Sequence, residues 1–208
     1  GLVYRGVRGV ALVAGRGADL VLAGLERLAI PGDDPEPPSP QREAVLAALN
    51  GVIGDRLLAT GSPFATPMTL RYRREALNWQ DLPAMPEATG RVLLLIHGLC
   101  MNDLQWHSGL DVEGRDLPGT LAAALGATPV YLRYNSGLHP AENGRELSAQ
   151  LERLVAGWPV PVEEIVVVAH SMGGLLIRSA CHRAARDGSR WPEVLTSIVF
   201  LGTPHLGA

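Results

Sequence analysis

The chain has 208 residues, 47% of them hydrophobic, and a net charge of −3, which is typical of a single soluble domain with a sizeable core. It carries no basic cluster, so the composition argues against nucleic acid as a partner. All 18 basic residues are arginine, which excludes a Schiff-base lysine and the phosphate-binding lysine of a P-loop.

Cysteine and histidine usage argues against a metal centre. Cys100 and Cys181 are far apart in the sequence, and none of the six histidines forms an H-E-x-x-H motif. This pattern predicts two buried free thiols rather than a disulfide framework or a zinc site. We therefore expect no metal and no cofactor.

Residues 1–60 are predicted to form a helical segment that packs on the main domain. Apolar residues recur at helical spacing from Val3 to Ile30, although charged residues and glycines interrupt them. An alternative role for residues 3–30 is weak contact with a membrane surface. The proline-rich stretch Pro31–Pro40 is predicted to be a loop, and Ala44–Ala59 a second helix.

The sequence predicts no transmembrane segment, because no uncharged apolar run reaches the roughly 18 residues that a membrane span needs. We expect a soluble, cytoplasmic protein. The chain begins at Gly1 rather than at methionine, so removal of a signal peptide is the alternative.

Residues 61–208 are predicted to form a doubly wound α/β sheet. After a short strand at Met68–Arg73, apolar runs of strand length alternate with segments of helix length. Continuous runs of Val, Leu and Ile indicate a mostly parallel sheet covered on both faces, with ligands binding at the carboxyl ends of its strands. The further predicted strands are Val92–Ile96, Pro129–Arg133, Ile165–Ala169 and Val194–Leu201, and the predicted helices are Leu117–Leu125, Asn143–Ala156 and Gly173–Ala185.

One strand-to-helix junction has the pattern of a nucleophile elbow, a strained turn that presents a serine hydroxyl above the sheet. Ser171 lies at its centre, with the small residues Ala169 and Gly173 two positions to either side and Gly174 next. Small residues at these places let the strand and the helix approach closely. The alternative is an ordinary turn in which Ser171 is the helix N-cap.

The first buried strand ends in His97 and Gly98, the position from which a second loop can supply an oxyanion-hole donor. The expected donors are the backbone N–H groups of Leu99 and Met172, which would stabilise the anion formed when a carbonyl is attacked. His97 is expected to brace its loop. His170, inside the elbow, is also expected to have a structural role.

Residues 91–208 resemble the bacterial esterase and lipase branch of the α/β-hydrolases, including the hydrolases grouped with GPI inositol-deacylases. The resemblance implies an α/β-hydrolase fold of eight strands, an oxyanion loop and Ser171 as the nucleophile. It also implies that the loop containing His205 shapes the pocket. The three segments that carry it are His97–Asp103, Ala169–Gly174 and the G-T-P-H-x-G segment Gly202–Gly207.

The sequence therefore predicts a serine hydrolase that cleaves carboxylic esters, either small molecules or lipids, through an acyl-enzyme on Ser171. Thioester hydrolysis and acyl transfer use the same groups and are alternatives. A non-catalytic binding module with an incomplete triad is the alternative from a different class.

The triad acid and base are expected beyond Ala208, because in this fold they follow the serine in chain order. The helix after Ser171 carries His182 and Asp187 away from the active end at about 1.5 Å per residue. Glu193 precedes the sixth strand, at the opposite end of the sheet. His205 does lie at a carboxyl end, so it is the alternative base within these residues.

Overall fold

The computed structural model describes residues 39–82, 85–107, 114 and 116–206. The predicted helix from Val3 to Ile30 lies outside these residues. The helices of the described part are α1 (Pro40–Ala59), α2 (Leu117–Leu125), α3 (Pro140–Gly157) and α4 (Met172–Asp187), and its strands are β1 (Thr69–Tyr72), β2 (Glu75–Ala76), β3 (Arg91–Ile96), β4 (Thr128–Arg133), β5 (Glu164–His170) and β6 (Leu195–Leu201).

The strands form one sheet in the order β2-β1-β4-β3-β5-β6. Strands β4, β3, β5 and β6 are parallel, whereas β1 runs antiparallel to both β2 and β4. Ile96 pairs with Ala169, so the carboxyl ends of β3 and β5 lie side by side. The predicted α/β fold with a mostly parallel sheet is confirmed.

Helices cover both faces of the sheet. Alternate residues of each strand point to opposite faces, and both sets are apolar here, so each face needs a helix to bury it. Val92, Leu94 and Ile96 are buried in the same cluster as the apolar residues of α3 and α4. Leu93 and Leu95 are buried in a second cluster with α2. This arrangement explains why the strand reads as a continuous apolar run, and it confirms the doubly wound architecture.

The helix boundaries follow from their capping residues. Helix α2 begins after Asp116, whose carboxylate accepts a hydrogen bond from Gly119 N at 2.8 Å, and it ends at Gly126 with φ of 60°. Helix α3 begins at Pro140, three residues earlier than predicted, because the His139 side chain caps it and proline suits the first turn. Strand β6 starts at Leu195, one residue later than predicted, because a 3-10 helix precedes it.

The short β1–β2 hairpin was not predicted beyond its first strand. Its turn contains Arg73 and Arg74 at φ of 49° and 70°. Arginine rarely adopts positive φ, and the turn lacks the Asn-Gly or Asp-Gly pair that marks a tight hairpin in a sequence.

Helix α1 attaches to loops at the carboxyl end of the sheet. The Asn102 side chain donates to Glu43 O at 3.1 Å, and the Asn135 side chain donates to Gly54 O at 2.9 Å. These two asparagines lie in the loops that follow β3 and β4. The described part of the N-terminal segment therefore contacts the edge where ligands are expected, while the division of the chain at residue 60 stays a prediction.

Cys100 and Cys181 are free thiols, as predicted, but they are only partly buried. Across residues 39–206, leaving aside the short undescribed stretches, no helix combines the length and the apolar character that crossing a bilayer requires.

Candidate active site

Ser171 connects β5 to α4 through a strained turn. Its φ of 51° and ψ of −122° differ from the extended conformation of an ordinary N-cap, and its side chain makes no capping hydrogen bond. A non-glycine residue in this region stores strain that the surrounding structure must maintain. The turn is anchored by a 2.8 Å hydrogen bond from Ser171 N to Leu201 O. The geometry is therefore that of a strained strand-to-helix turn and not that of a capped helix start, as the predicted elbow requires.

The two glycines after the elbow let α4 approach its neighbours. A Cβ atom on Gly173 would lie 2.6 Å from His97 O, and one on Gly174 would lie 2.0 Å from Thr203 Oγ1. Both distances are below any normal Cβ contact. The sequence requirement for small residues here thus has a direct cause, because α4 begins in contact with the loops after β3 and β6.

The loop after β3 touches the elbow through Gly98. A Cβ atom on this buried residue would lie 3.0 Å from both Ser171 Cβ and His170 Nδ1. Leu99 comes next and is 49% exposed, and Met172 is the first residue of α4. The two backbone N–H groups predicted as oxyanion donors thus belong to residues adjacent to this contact, and their role stays a prediction.

His97 is built into the loop rather than directed towards a substrate. The side chain is fully buried, its ring stacks on that of Tyr134 at 4.3 Å, and Nδ1 lies 2.9 Å from Gly98 O. Because a carbonyl only accepts, Nδ1 is the protonated nitrogen. Burial lowers the pKa of His97 to about 4, so the imidazole is neutral near pH 7. A neutral ring with one nitrogen bound to its own loop acts as a brace.

The other two candidate histidines do not bond to Ser171 either. His170 ends β5, and its buried Nδ1 has no hydrogen-bond partner among the described residues. His205 is exposed, accepts a 3.0 Å hydrogen bond from Arg178 and packs its ring edge against Phe200. It therefore faces α4. In the part of the chain that the structure describes, no hydrogen bond joins the Ser171 hydroxyl to a histidine.

Two buried residues next to this loop were not predicted. Tyr134 donates from its hydroxyl to His97 O at 2.9 Å, and Ser136 Oγ accepts from Cys100 N at 3.0 Å. Each is 2% exposed. The signal that could have indicated them is a run of polar residues directly after a buried strand, at the carboxyl end of a parallel sheet.

A buried ionic cluster lies beside the same loop and was also missed. Asp103, 3% exposed, pairs with Arg71 at 3.1 Å and with Arg133, which in turn contacts Glu43 at 2.7 Å. Two cations and two anions balance one another and link β1, β4 and α1. Their positions are so dispersed in the sequence that no local pattern relates them.

No group of three or more His, Cys, Asp or Glu side chains in the described residues is placed to hold a metal ion.

The fold and the elbow together define an α/β protein with a strained serine at the carboxyl edge of a parallel sheet. The chain belongs to the family described as a domain of unknown function, DUF7379, which matches residues 65–208. Helix α1 lies outside the matched part. No curated protein matches the chain.

Two solved structures of Bacillus licheniformis lipase BlEst2 show similarity to parts of the chain. The mature form is 19% identical with a TM-score of 0.42, over 54% of this chain and 40% of the lipase chain. The propeptide form is 18% identical with a TM-score of 0.44, over 66% of this chain and 26% of the other. The chain thus spans well under half the length of either lipase chain that it matches.

Proposed function

We propose that the protein is a serine hydrolase that cleaves carboxylic esters through an acyl-enzyme on Ser171. The observation that supports this most strongly is the positive φ of Ser171 at a strand-to-helix turn. A strained conformation at a polar residue of a sheet edge is typical of functional sites, where the strain serves to present a group.

In the proposed reaction, Ser171 Oγ bonds to the carbonyl carbon of the ester and a general base takes the hydroxyl proton. The carbonyl oxygen becomes an anion, which the N–H groups of Leu99 and Met172 would stabilise by roughly 3 to 4 kcal/mol each. The alcohol then leaves with a proton, and water attacks the acyl-enzyme to release the acid. The N-terminus of α4 adds a favourable field for the anion.

The proposed substrates are small-molecule or lipid esters of carboxylic acids. Thioester hydrolysis and acyl transfer proceed through the same acyl-enzyme and differ only in the leaving group or the acceptor. His97 is not the base in this proposal, because its side chain is fully buried, its Nε2 has no hydrogen-bond partner among the described residues, and burial lowers its pKa to about 4.

A binding module without catalysis is the second candidate. It is favoured by the lack, among the described residues, of any hydrogen bond between Ser171 and a histidine. Such a protein would keep the elbow and the neighbouring loop but would have a serine of ordinary reactivity.

Labelling with a fluorophosphonate separates the two candidates, because the reagent reacts quickly only with an activated serine. In the complete protein, the proposal predicts rapid labelling and hydrolysis of short p-nitrophenyl esters, both lost in Ser171→Ala. Ser197 is an exposed serine on β6, so Ser197→Ala serves as the matched control and should leave labelling and hydrolysis intact. Absence of labelling in the folded wild type, or more than a few per cent residual rate in Ser171→Ala, would contradict the assignment.

A further inference from the structure

The loop of residues 97–100 has each of its three consecutive peptide groups held by a side chain. Tyr134 donates to His97 O at 2.9 Å, His97 Nδ1 donates to Gly98 O at 2.9 Å, and Cys100 N donates to Ser136 Oγ at 3.0 Å. The middle peptide carries the N–H of Leu99. Because a trans peptide directs its N–H opposite to its C=O, fixing Gly98 O also fixes the direction of the Leu99 N–H.

The hydrogen bond from Cys100 N to Ser136 Oγ restrains an unfavourable backbone conformation at Cys100. Cys100 has φ of 58°, which costs a non-glycine residue about 1 kcal/mol or more. Its amide bonds to a hydroxyl that is 2% exposed, so water does not compete freely for the contact. Without that acceptor, Cys100 could relax towards negative φ. This change would rotate the Leu99–Cys100 peptide and, with it, the peptide that carries the Leu99 N–H.

Helix α1 packs against the same loop. A Cβ atom on Gly51 would lie 2.3 Å from Cys100 Sγ and 2.8 Å from Cys100 N. A Cβ atom on Gly137, the residue after Ser136, would lie 2.1 Å from Asn50 O. The backbone of α1 therefore packs closely against Cys100 and against Gly137, the residue that follows Ser136.

We infer that Ser136, assisted by Tyr134, is a positioning residue for the oxyanion hole, and that α1 is the wall against which it holds the loop. The inference rests on the proposed function. It goes further by assigning catalytic importance to two residues after β4 that hold the loop after β3, and to a helix outside the matched family region.

The test compares Ser136→Ala with Ser148→Ala in the complete protein. Ser148 belongs to α3 and is a matched control. It is 3% exposed, and its hydroxyl accepts one hydrogen bond, from Trp191 Nε1 at 3.1 Å. With a short p-nitrophenyl ester, Ser136→Ala should lower kcat by about 10- to 100-fold with little change in KM, since a misplaced donor costs transition-state stabilisation. Ser148→Ala should leave kcat unchanged. Tyr134→Phe, which keeps the ring, should lower kcat in the same direction.

Amide hydrogen exchange at Cys100 provides a readout that does not depend on activity. Its rate should rise at least about tenfold in Ser136→Ala and stay unchanged in Ser148→Ala, because only the first loses the acceptor. An active wild type whose kcat is the same in Ser136→Ala would overturn the positioning role alone. Equal losses of kcat in both serine variants would overturn it too, since they would indicate a general effect on stability. A folded wild type with no esterase activity would overturn the proposed function, and Cys100 exchange would still report whether the contact exists.

Discussion

Gly98 lies so close to Ser171 that a single methyl group at position 98 would stand 3.0 Å from the serine Cβ. At this distance one of the two backbones must move by a few tenths of an ångström. The relationship couples the loop after β3 to the elbow after β5, and it allows the proposed site to be tested by substitutions that leave every polar side chain in place.

Gly98→Ala is expected to lower kcat/KM for a short ester by at least about tenfold, because it separates the loop from the elbow by a fraction of an ångström. The free energy of unfolding should fall by about 1 to 3 kcal/mol from overpacking. Gly157→Ala is the control. Its Cβ would lie 3.2 Å from Trp79, so the crowding is similar, but Gly157 is the last residue of α3 and lies outside the proposed site. A similar loss of activity in both variants would contradict the prediction.

Ser171→Gly is expected to be more stable than Ser171→Ala, although both lack the hydroxyl. At φ of 51° an alanine keeps about 1 to 3 kcal/mol of backbone strain, whereas glycine adds about 0.5 to 1 kcal/mol of unfolded-state entropy. The strain is the larger effect, which leaves a difference of about 1 kcal/mol in the free energy of unfolding measured with urea. A glycine variant no more stable than the alanine variant would argue against the strained turn.

Acid should weaken the fold through His97. Its pKa is lowered from 6.5 to about 4, chiefly by burial, so between these values the unfolded chain binds the proton and the folded chain does not. Stability from this group is present above pH 6.5 and is lost as the pH falls towards 4, by roughly 3 kcal/mol. Asp103 raises the pKa, and Arg133 and His170 lower it, by smaller amounts.

His97→Asn provides the comparison, because its amide can donate to Gly98 O but does not titrate. The free energy of unfolding of wild type and variant should be measured in urea at pH 4.5 and pH 7. Wild type should lose more stability than the variant over this interval. Parallel losses would mean that His97 is protonated in the folded protein or accessible to water.

Arg133→Met is expected to lower the free energy of unfolding by about 3 kcal/mol, because it leaves the buried carboxylate of Glu43 without its cation and weakens the neutralisation of Asp103. Arg73→Met is the matched control. Its ion pair with Glu87 is more than half exposed on both sides, so little measurable change is expected. Adding Glu43→Leu to Arg133→Met should recover part of the loss, and a further decrease would contradict this interpretation.

The central sheet could be predicted from the sequence because parallel strands buried on both faces read as continuous apolar runs. Strands β3 and β5 were located to within one residue at each end on that basis. The closeness of the loop after β3 to Ser171 was expected for a different reason, since an oxyanion hole takes one donor from that loop and one from the elbow. The local pattern at the elbow added the glycines that close packing requires.

The remainder depends on contacts between distant segments, which leave no local signal. That β4 lies directly beside β3 cannot be read from either strand, so the stacking of Tyr134 on His97 could not be predicted. The sequence predicted a helix at Ala44–Ala59 but not the surface against which it packs. In the β1–β2 hairpin, Arg73 and Arg74 adopt positive φ, which is rare for arginine and could not be read from the sequence.

The attachment of α1 has a consequence for the order of folding. Its hydrogen bonds with the sheet loops span 52 residues from Cys100 to Ala48, 59 from Asn102 to Glu43 and 81 from Asn135 to Gly54. During synthesis α1 emerges before β3 and β4, and it has no surface to dock on until these strands have been made and paired. Because contacts of such sequence separation form late, α1 is the earliest helix of the described chain to be made and among the last elements to settle, and the loop that it packs against takes its final shape only then.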